Sequence, residues 1–426
     1  MREEFLHHIW KLKKFDFIRA ETTAGDPILF IDPGRHNLDS GPDFFNARLR
    51  IGDQLWAGNV EIHLKASDWY FHGHETDENY DNVILHVVWE DDVEIFRKDN
   101  TPVPSLVLKK LVDPSLLKNF QQLFTGNFTW INCEHHFGEF SDFDVHNWLE
   151  RMYIERLEER SLLIEEMLKE SENDWEAVLF RLLAKAFGLK VNGDAFLSMA
   201  NSINFKTLLK CRNKAEDVEA LFLGQSGLLD SENEDLYFNE LKKRYAYLKH
   251  KFSLQNDYVI KPKYFRLRPD NFPNLRLAQL AGLYSGNSGM FQLLMHSGVI
   301  AEIRDVFDVE VTDYWKTHYN FGRPHKVRKK KLSKDFIDLL LINCIIPLRF
   351  AYGKYKGDFL EEELLELIAQ ISGEKNSVME KFEVLRPGLA RNALNTQALL
   401  QLKSTYCDKN RCLYCSLGHK FLQGSA

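Results

Sequence analysis

Apolar and polar positions change rhythm once along this chain, and the change divides it. Up to about residue 112 the pattern is short and strand-like. Asp43 to Ile51 sets Phe45, Ala47, Leu49 and Ile51 against Asn46, Arg48 and Arg50, and Leu55 to Lys65 returns after Gly52-Asp53. Side chains two apart share one face of a strand, so the two runs read as half-buried strands joined in a hairpin. Pro27 to Asp32 and Val83 to Trp89 are apolar runs of strand length, and shorter strands are expected around Val93 to Phe96 and Ser105 to Leu108. Ahead of them, Phe5, Leu6, Ile9, Trp10 and Lys13 follow a helical stripe over Glu3 to Lys14. Glu4 and His8, one turn apart on it, read as a solvated face.

Beyond Val112 helical periodicity takes over. Phe143 to Glu170 is a long amphipathic pattern, followed by others at Trp175 to Phe187, Glu216 to Leu229, Asp235 to Lys251, Leu275 to Met295, Lys334 to Ile345, Glu361 to Ile371 and Asn392 to Ser404. No fixed-period repeat marks a solenoid. The expected organisation is an α/β core over residues 1–112, with a mixed sheet flanked by helices, then a linker over 113–140. A large α-helical domain fills 141–426.

Composition narrows the class. A chain of 426 residues, 44% hydrophobic and 27% charged, can bury two or three cores. Its net charge of -7 excludes coating nucleic acid by bulk charge and leaves only local basic patches for that purpose. No run reaches the roughly 18 uninterrupted apolar residues that suggest a membrane span. Met1-Arg2-Glu3-Glu4 lacks the basic start of a signal peptide. The expectation is a cytoplasmic protein with no membrane partner. Oligomeric state is not legible.

Within the hairpin, Glu61, His63 and Lys65 share a face, and Asp43 stands at the mouth of the preceding strand. Carboxylates so placed can hold Mg²⁺ or Mn²⁺, which activates water and neutralises a developing phosphorane. Register decides whether they cooperate. A two-residue loop at Gly52-Asp53 pairs Asp43 with Ile62 and turns it away from Glu61. A three-residue loop, or a bulge at Gly58, brings it round. The plain alternative is a set of salt bridges with Arg48, Arg50 or Lys65 on a solvated sheet face.

With Gly41-Pro42-Asp43 and Glu61-Ile62-His63, the order helix, strand, acid-bearing strand, Glu-bearing strand, helix, strand resembles the core of the PD-(D/E)XK nuclease superfamily over the first quarter of the chain. That resemblance implies a restriction-endonuclease-like fold and Asp43 and Glu61 as metal ligands. The superfamily carries Lys two residues after the Glu, where this chain has His63, so Lys65 or His63 is left to orient or deprotonate water. The whole chain also resembles an uncharacterised bacterial family of the DUF2851 type. That match rests on Gly58-Asn59-Val60-Glu61-Ile62-His63, Leu85-His86-Val87-Val88, Arg268-Pro269-Asp270-Asn271-Phe272-Pro273 and Cys412-Leu413-Tyr414-Cys415. It implies nothing about chemistry.

Three further clusters carry chemistry. His63, His72, His74 and His86 fall close together, and a His-Gly-His turn can present two rings to one ion. They read as a zinc or manganese centre, with Asp68 or Asp77, or as an aromatic-rich connection whose histidines bond to backbone. His86 sits in an apolar run and reads as a core histidine. His72 and His74 are also placed to contact a substrate phosphate. Arg323, Lys326, Arg328, Lys329 and Lys330 form a basic block that either binds a nucleic-acid backbone or is a solvated loop. Arg268 to Pro273 reads as a turn into a helix.

Six cysteines are too few for a disulfide framework, and Cys407, Cys412 and Cys415 crowd together. Zinc would take these thiolates with a fourth ligand such as His419; an iron-sulfur cluster would recruit Cys133 or Cys211. The sequence therefore leads to a metal-dependent phosphodiesterase acting on DNA or RNA. Its rivals are a nucleic-acid- or protein-binding scaffold with a decayed site, and a His-centred metallohydrolase.

Overall fold

The computed structural model describes residues 1–286, 289–358 and 360–424. The chain forms two compact units: 1–145 together with 403–426, and 146–402. The cysteine-bearing tail, which helical texture groups with the second half, packs in the first unit. Residues 113–140 also belong there and are partly ordered as a helix, Pro114–Thr125.

The first unit is built on a mixed six-stranded sheet. Its elements are α1 (Glu3–Lys11), β1 (Ile28–Asp32), β2 (Arg35–His36), β3 (Phe44–Ile51), β4 (Gln54–Lys65), α2 (Asp68–Phe71), β5 (Val83–Glu90) and β6 (Ser105–Val107). The strand order is β1-β3-β4-β5-β6, with β2 paired to β3. Pairs up to β3–β4 are antiparallel, whereas β4–β5 and β5–β6 are parallel. Interior strand β5, between β4 and β6, is buried along almost its whole length, as its unbroken apolar run requires. The strand expected near Val93 to Phe96 is only an isolated bridge, Phe96 to Pro102, because Pro102 and Pro104 withhold amide donors from a ladder.

Helix α1 forms because Phe5, Leu6, Ile9 and Trp10 make one stripe, each at most 1% exposed. Trp10 Nε1 donates to the Pro33 carbonyl at 3.0 Å, which pins the helix to the loop after β1. The chain then leaves the helical path at Lys13, whose φ is 51°. Beneath α2, Trp69 is fully buried with Ala66, Val83, Val88, Ile95 and Val103. Burial of a side chain that size stabilises by about 1.5–3 kcal/mol.

The β3–β4 hairpin closes with Ile51 opposite Gln54, so its loop is the two-residue Gly52-Asp53, not the three-residue form. Pairing runs regularly to Ala47–Gly58 and resumes one residue out of step at Phe44–Val60. The extra residue lies on β3, where Asn46 adopts a left-handed φ of 58° and its amide donates to Asn59 Oδ1 at 3.3 Å. Buried positions change parity there: Ile51, Leu49 and Ala47 are followed by Phe44, not Phe45. Gly58 is not the bulge. A Cβ on it would stand 2.5 Å from Ile84 Cγ2 and 2.6 Å from the Asn82 carbonyl, so glycine is needed for the close approach of β5.

The second unit is helical, beginning within a long helix, Asp142–Glu170. The Arg268 to Pro273 string is a 3₁₀ turn, Pro269–Asn271, leading into the helix Pro273–Tyr284. The helical run Lys334–Lys356 is long and apolar enough to cross a membrane by length and composition, and 83% of its apolar window is buried within the protein. It contains a π-helical turn, Leu341–Ile345, just before Pro347. Proline has no N–H to continue the ladder, and Arg160 Nη1 donates to the Ile342 carbonyl at 3.2 Å.

Candidate metal centre

The Asn46 bulge places Asp43, just ahead of β3, opposite Glu61 on β4. Their contact is reciprocal through backbone: the Asp43 amide donates to Glu61 Oε2 at 3.1 Å, and the Ile62 amide donates to Asp43 Oδ2 at 2.9 Å. The Gly41-Pro42-Asp43 approach is held by Asn37. Its side chain donates to the Asp39, Ser40 and Pro42 carbonyls, and its amide donates to the Asp43 carbonyl at 2.7 Å.

Around Glu61 gathers a set of imidazoles. His63 Nε2 lies 3.4 Å and His74 Nε2 3.3 Å from Glu61 Oε1. His72 Nδ1 lies 3.2 Å from His63 Nε2, and the three rings offer nitrogens that all fall within 4.8 Å of one another. Four donors at 2.0–2.1 Å around a tetrahedral ion stand about 3.3–3.4 Å apart, close to the separations seen here. His74 Nε2 is buried and, despite its nearness to Glu61, makes no hydrogen bond among the described residues, because the geometry is off-line. On the far side of His63, Nδ1 meets His86 Nε2 at 2.8 Å. Expected as a core histidine, His86 is fully buried and fixes the orientation of His63.

Electrostatics follow from burial. His63 is pushed down to about 2 and His86 to about 3, first by desolvation and then by neighbouring rings; desolvation also lowers His74. These rings are therefore neutral near pH 7, the form that donates a lone pair. Glu61 is raised by burial and then by the Asp43 charge. A cation beside these groups would offset that cost.

Two residues of α1 complete the site. His7 Nε2 stands 3.2 Å from Asp43 Oδ2. Burial lowers His7, but the Asp43 carboxylate, with Glu3 and Glu61, carries it above its ordinary value. Glu3 is raised to about 7 by burial and then by Asp43. Sequence periodicity drew attention to Glu4 and His8 instead. Glu4 is exposed, and His8 turns the other way to pack its ring 4.8 Å from His419. The apolar stripe fixes which side of α1 is buried, but Glu3 and His7 lie at its margin and carry no signal of their own.

Other candidate residues stand elsewhere. Lys65 is exposed at the end of β4, where its charge acts on Asp92. Asp68 Oδ2 accepts the Lys65 amide at 3.0 Å, and Asp77 Oδ1 accepts the Asn79 amide at 2.9 Å, so both organise the α2 connection. In the second unit, Arg323, Lys326, Arg328 and Lys329 are exposed. Lys330 is buried, with its ammonium over the Tyr319 ring and 3.0 Å from His325 Nε2.

No curated protein and no solved structure matches the chain. A family model described as "Protein of unknown function (DUF2851)" matches residues 3–377. Spanning both units, that match shows that the chain belongs to the DUF2851 family.

Proposed function

We propose that this protein is a metal-dependent phosphodiesterase of nuclease type, acting on DNA or RNA, with imidazoles as the principal metal ligands. The observation that carries the reading is the position of Glu61 Oε1, 3.3–3.4 Å from two nitrogens of the His63, His72, His74 cluster. Asp43 engages the other oxygen of the same carboxylate.

His63, His72 and His74 would hold the ion, leaving a coordination position open. Bound there, a divalent ion lowers the pKa of a coordinated water and polarises a phosphoryl oxygen. Glu61 accepts a proton at Oε1, the oxygen that faces the imidazoles. Asp43 orients Glu61 through its amide, and His7 balances the Asp43 charge. The alternative ligand set, Asp43 with Glu61 holding Mg²⁺ or Mn²⁺, uses the same carboxylates. The exposed basic residues Arg323, Lys326, Arg328 and Lys329 are offered as phosphate contacts.

The phosphodiester assignment draws support from the PD-(D/E)XK-like order of elements and the placing of Asp43 and Glu61. One observation favours a second reading, a His-centred metallohydrolase of small substrates. His63 occupies the position of the superfamily Lys, and Lys65 is exposed at the strand end. One assay separates them: purified protein with Zn²⁺, Mn²⁺ or Mg²⁺ is offered single- and double-stranded DNA and RNA and a nitrophenyl phosphodiester, alongside Glu61→Ala. Cleavage lost in the variant is expected. Cleavage unchanged in Glu61→Ala refutes the site, and hydrolysis of the small ester alone selects the second reading.

A further inference from the structure

The first unit contains a second concentration of metal-binding side chains, separate from the histidines. Cys407 ends a π-helical turn, Leu402–Cys407; the chain reverses at Asn410, with φ 52°, and the Asn410 amide returns to the Cys407 carbonyl at 3.1 Å. Cys412 opens a 3₁₀ turn, and the Cys415 amide donates to the Cys412 carbonyl at 3.2 Å. The helix that follows, Ser416–Leu422, presses Gly418 against this turn. A Cβ there would lie 2.1 Å from the Cys412 carbonyl oxygen, so only glycine lets the helix approach the Cys412 backbone this closely.

Cys133, far away in sequence, is brought to the same place. Three residues before it, the Trp130 ring lies 5.5 Å from Lys403 Nζ; three residues after it, the His136 ring lies 4.9 Å from that of Phe421. Contacts on both sides thus clamp the Cys133 turn onto the tail that carries the other three cysteines. Their electrostatics agree. After burial, the groups that raise Cys133 are first Cys415 and Cys412 and then Glu134, and those that raise Cys407 include Cys133, Cys415 and Cys412.

The two rival fourth ligands are engaged elsewhere. Cys211 lies in the second unit, where Asp217 and Lys251 are its charged neighbours. The His419 Nε2 proton is committed to the Leu413 carbonyl, with its ring against His8. Among the described residues no disulfide joins the cysteines.

We propose that Cys133, Cys407, Cys412 and Cys415 form a tetrathiolate metal site that ties the Cys133 turn to the C-terminal tail. Four thiolates suit one zinc ion or an iron-sulfur cluster. Binding releases the thiol protons, and the negative charge left on the sulfurs is met by the metal. The site shares no ligand with the histidine centre.

The test uses the full chain, purified anaerobically without chelator. Metal content and visible spectrum are measured for wild type, Cys133→Ser, Cys211→Ser and His63→Ala. Zinc in a colourless protein, or iron with acid-labile sulfide in a brown one, is the expected result. Cys133→Ser is expected to retain this metal against a chelator at least about tenfold less well, the lower bound for losing even an outer-shell partner. Cys211→Ser should keep it, and in His63→Ala, where the histidine centre loses its own ion, the thiolate-bound share should remain. Should Cys133→Ser not fold, wild-type protein answers alone: alkylation mapped by mass spectrometry should spare all four cysteines until chelator is added. Absence of zinc and iron, with no thiolate-to-cobalt charge-transfer band after loading with Co²⁺, overturns the site. So does full metal retention in a folded Cys133→Ser, or alkylation of the four cysteines that is indifferent to chelator.

Discussion

The backbone amide of Asp43 donates to Glu61 Oε2 at 3.1 Å, so one oxygen of the candidate base is held by main chain while the other faces the imidazoles. An Asp43→Asn substitution leaves that amide in place and removes only the charge. Activity should fall less in Asp43→Asn than in Glu61→Gln, for which a loss of about 10²–10⁴-fold in kcat is expected of a general base. Steady-state cleavage kinetics with both variants checks the order; equal losses would show that Asp43 acts by its own charge.

His86 does not face the candidate ion but sets His63 through the 2.8 Å Nδ1 to Nε2 contact. Replacing it with Gln should weaken metal binding about 10–100-fold, the usual cost of losing an outer-shell partner. Calorimetric titration with Zn²⁺ measures this, and His63→Ala provides the larger loss for comparison.

Gly58 predicts a purely structural lesion. The Cβ of Gly58→Ala would meet Ile84 Cγ2 at 2.5 Å and the Asn82 carbonyl at 2.6 Å, and neither can move without displacing β5. Overpacking of this kind costs about 1–3 kcal/mol. Thermal unfolding should show a lower midpoint.

In the second unit, Glu219 supplies a pH dependence. It is 1% exposed and accepts from Tyr237 Oη, Trp315 Nε1 and the Thr312 hydroxyl at 2.7–2.9 Å, yet burial outweighs these donors and raises it to about 7. With the folded value above the unfolded one, the folded state keeps a proton that the unfolded state gives up. The group's contribution to stability is therefore complete below pH 4.5 and declines as pH rises toward about 7. Glu219→Gln resembles the protonated form and should flatten that slope in denaturant titrations from pH 4 to 8. Glu219→Ala, which leaves buried donors unpaired, should cost roughly 1–3 kcal/mol per orphaned group.

Much of the first unit was legible because it depends on local pattern. Alternation in β4 put Glu61 and His63 on one face, and the unbroken apolar run of β5 announced a strand, though not its parallel pairing. The histidine cluster was visible as composition, although which rings converge was not: His86 reads as core and acts as support. What stayed hidden depends on contacts distant in sequence. Glu3 and His7 join the site because α1 lies along β4, and Cys133 is brought to the tail by contacts such as those of Trp130 and His136. The bulge was anticipated as a need, but its position was not, since Asn46 looks like any outward residue of an alternating strand.

That bulge gives the centre an unusual sensitivity to backbone conformation. Asp43 and Glu61 meet because the bulge at Asn46 takes up the one residue by which β3 exceeds β4 between the hairpin turn and the site. An Asn46→Val substitution, which disfavours the left-handed φ of 58° and so favours drawing this residue into the ladder, would preserve every metal-binding and acid-base group while pairing Asp43 with Ile62, turning its carboxylate to the other side of the sheet. A variant with all its candidate residues intact would then behave like Asp43→Ala. In this protein part of the candidate centre is written in backbone conformation, whereas deleting Asn46 would only close the bulge and leave Asp43 opposite Glu61.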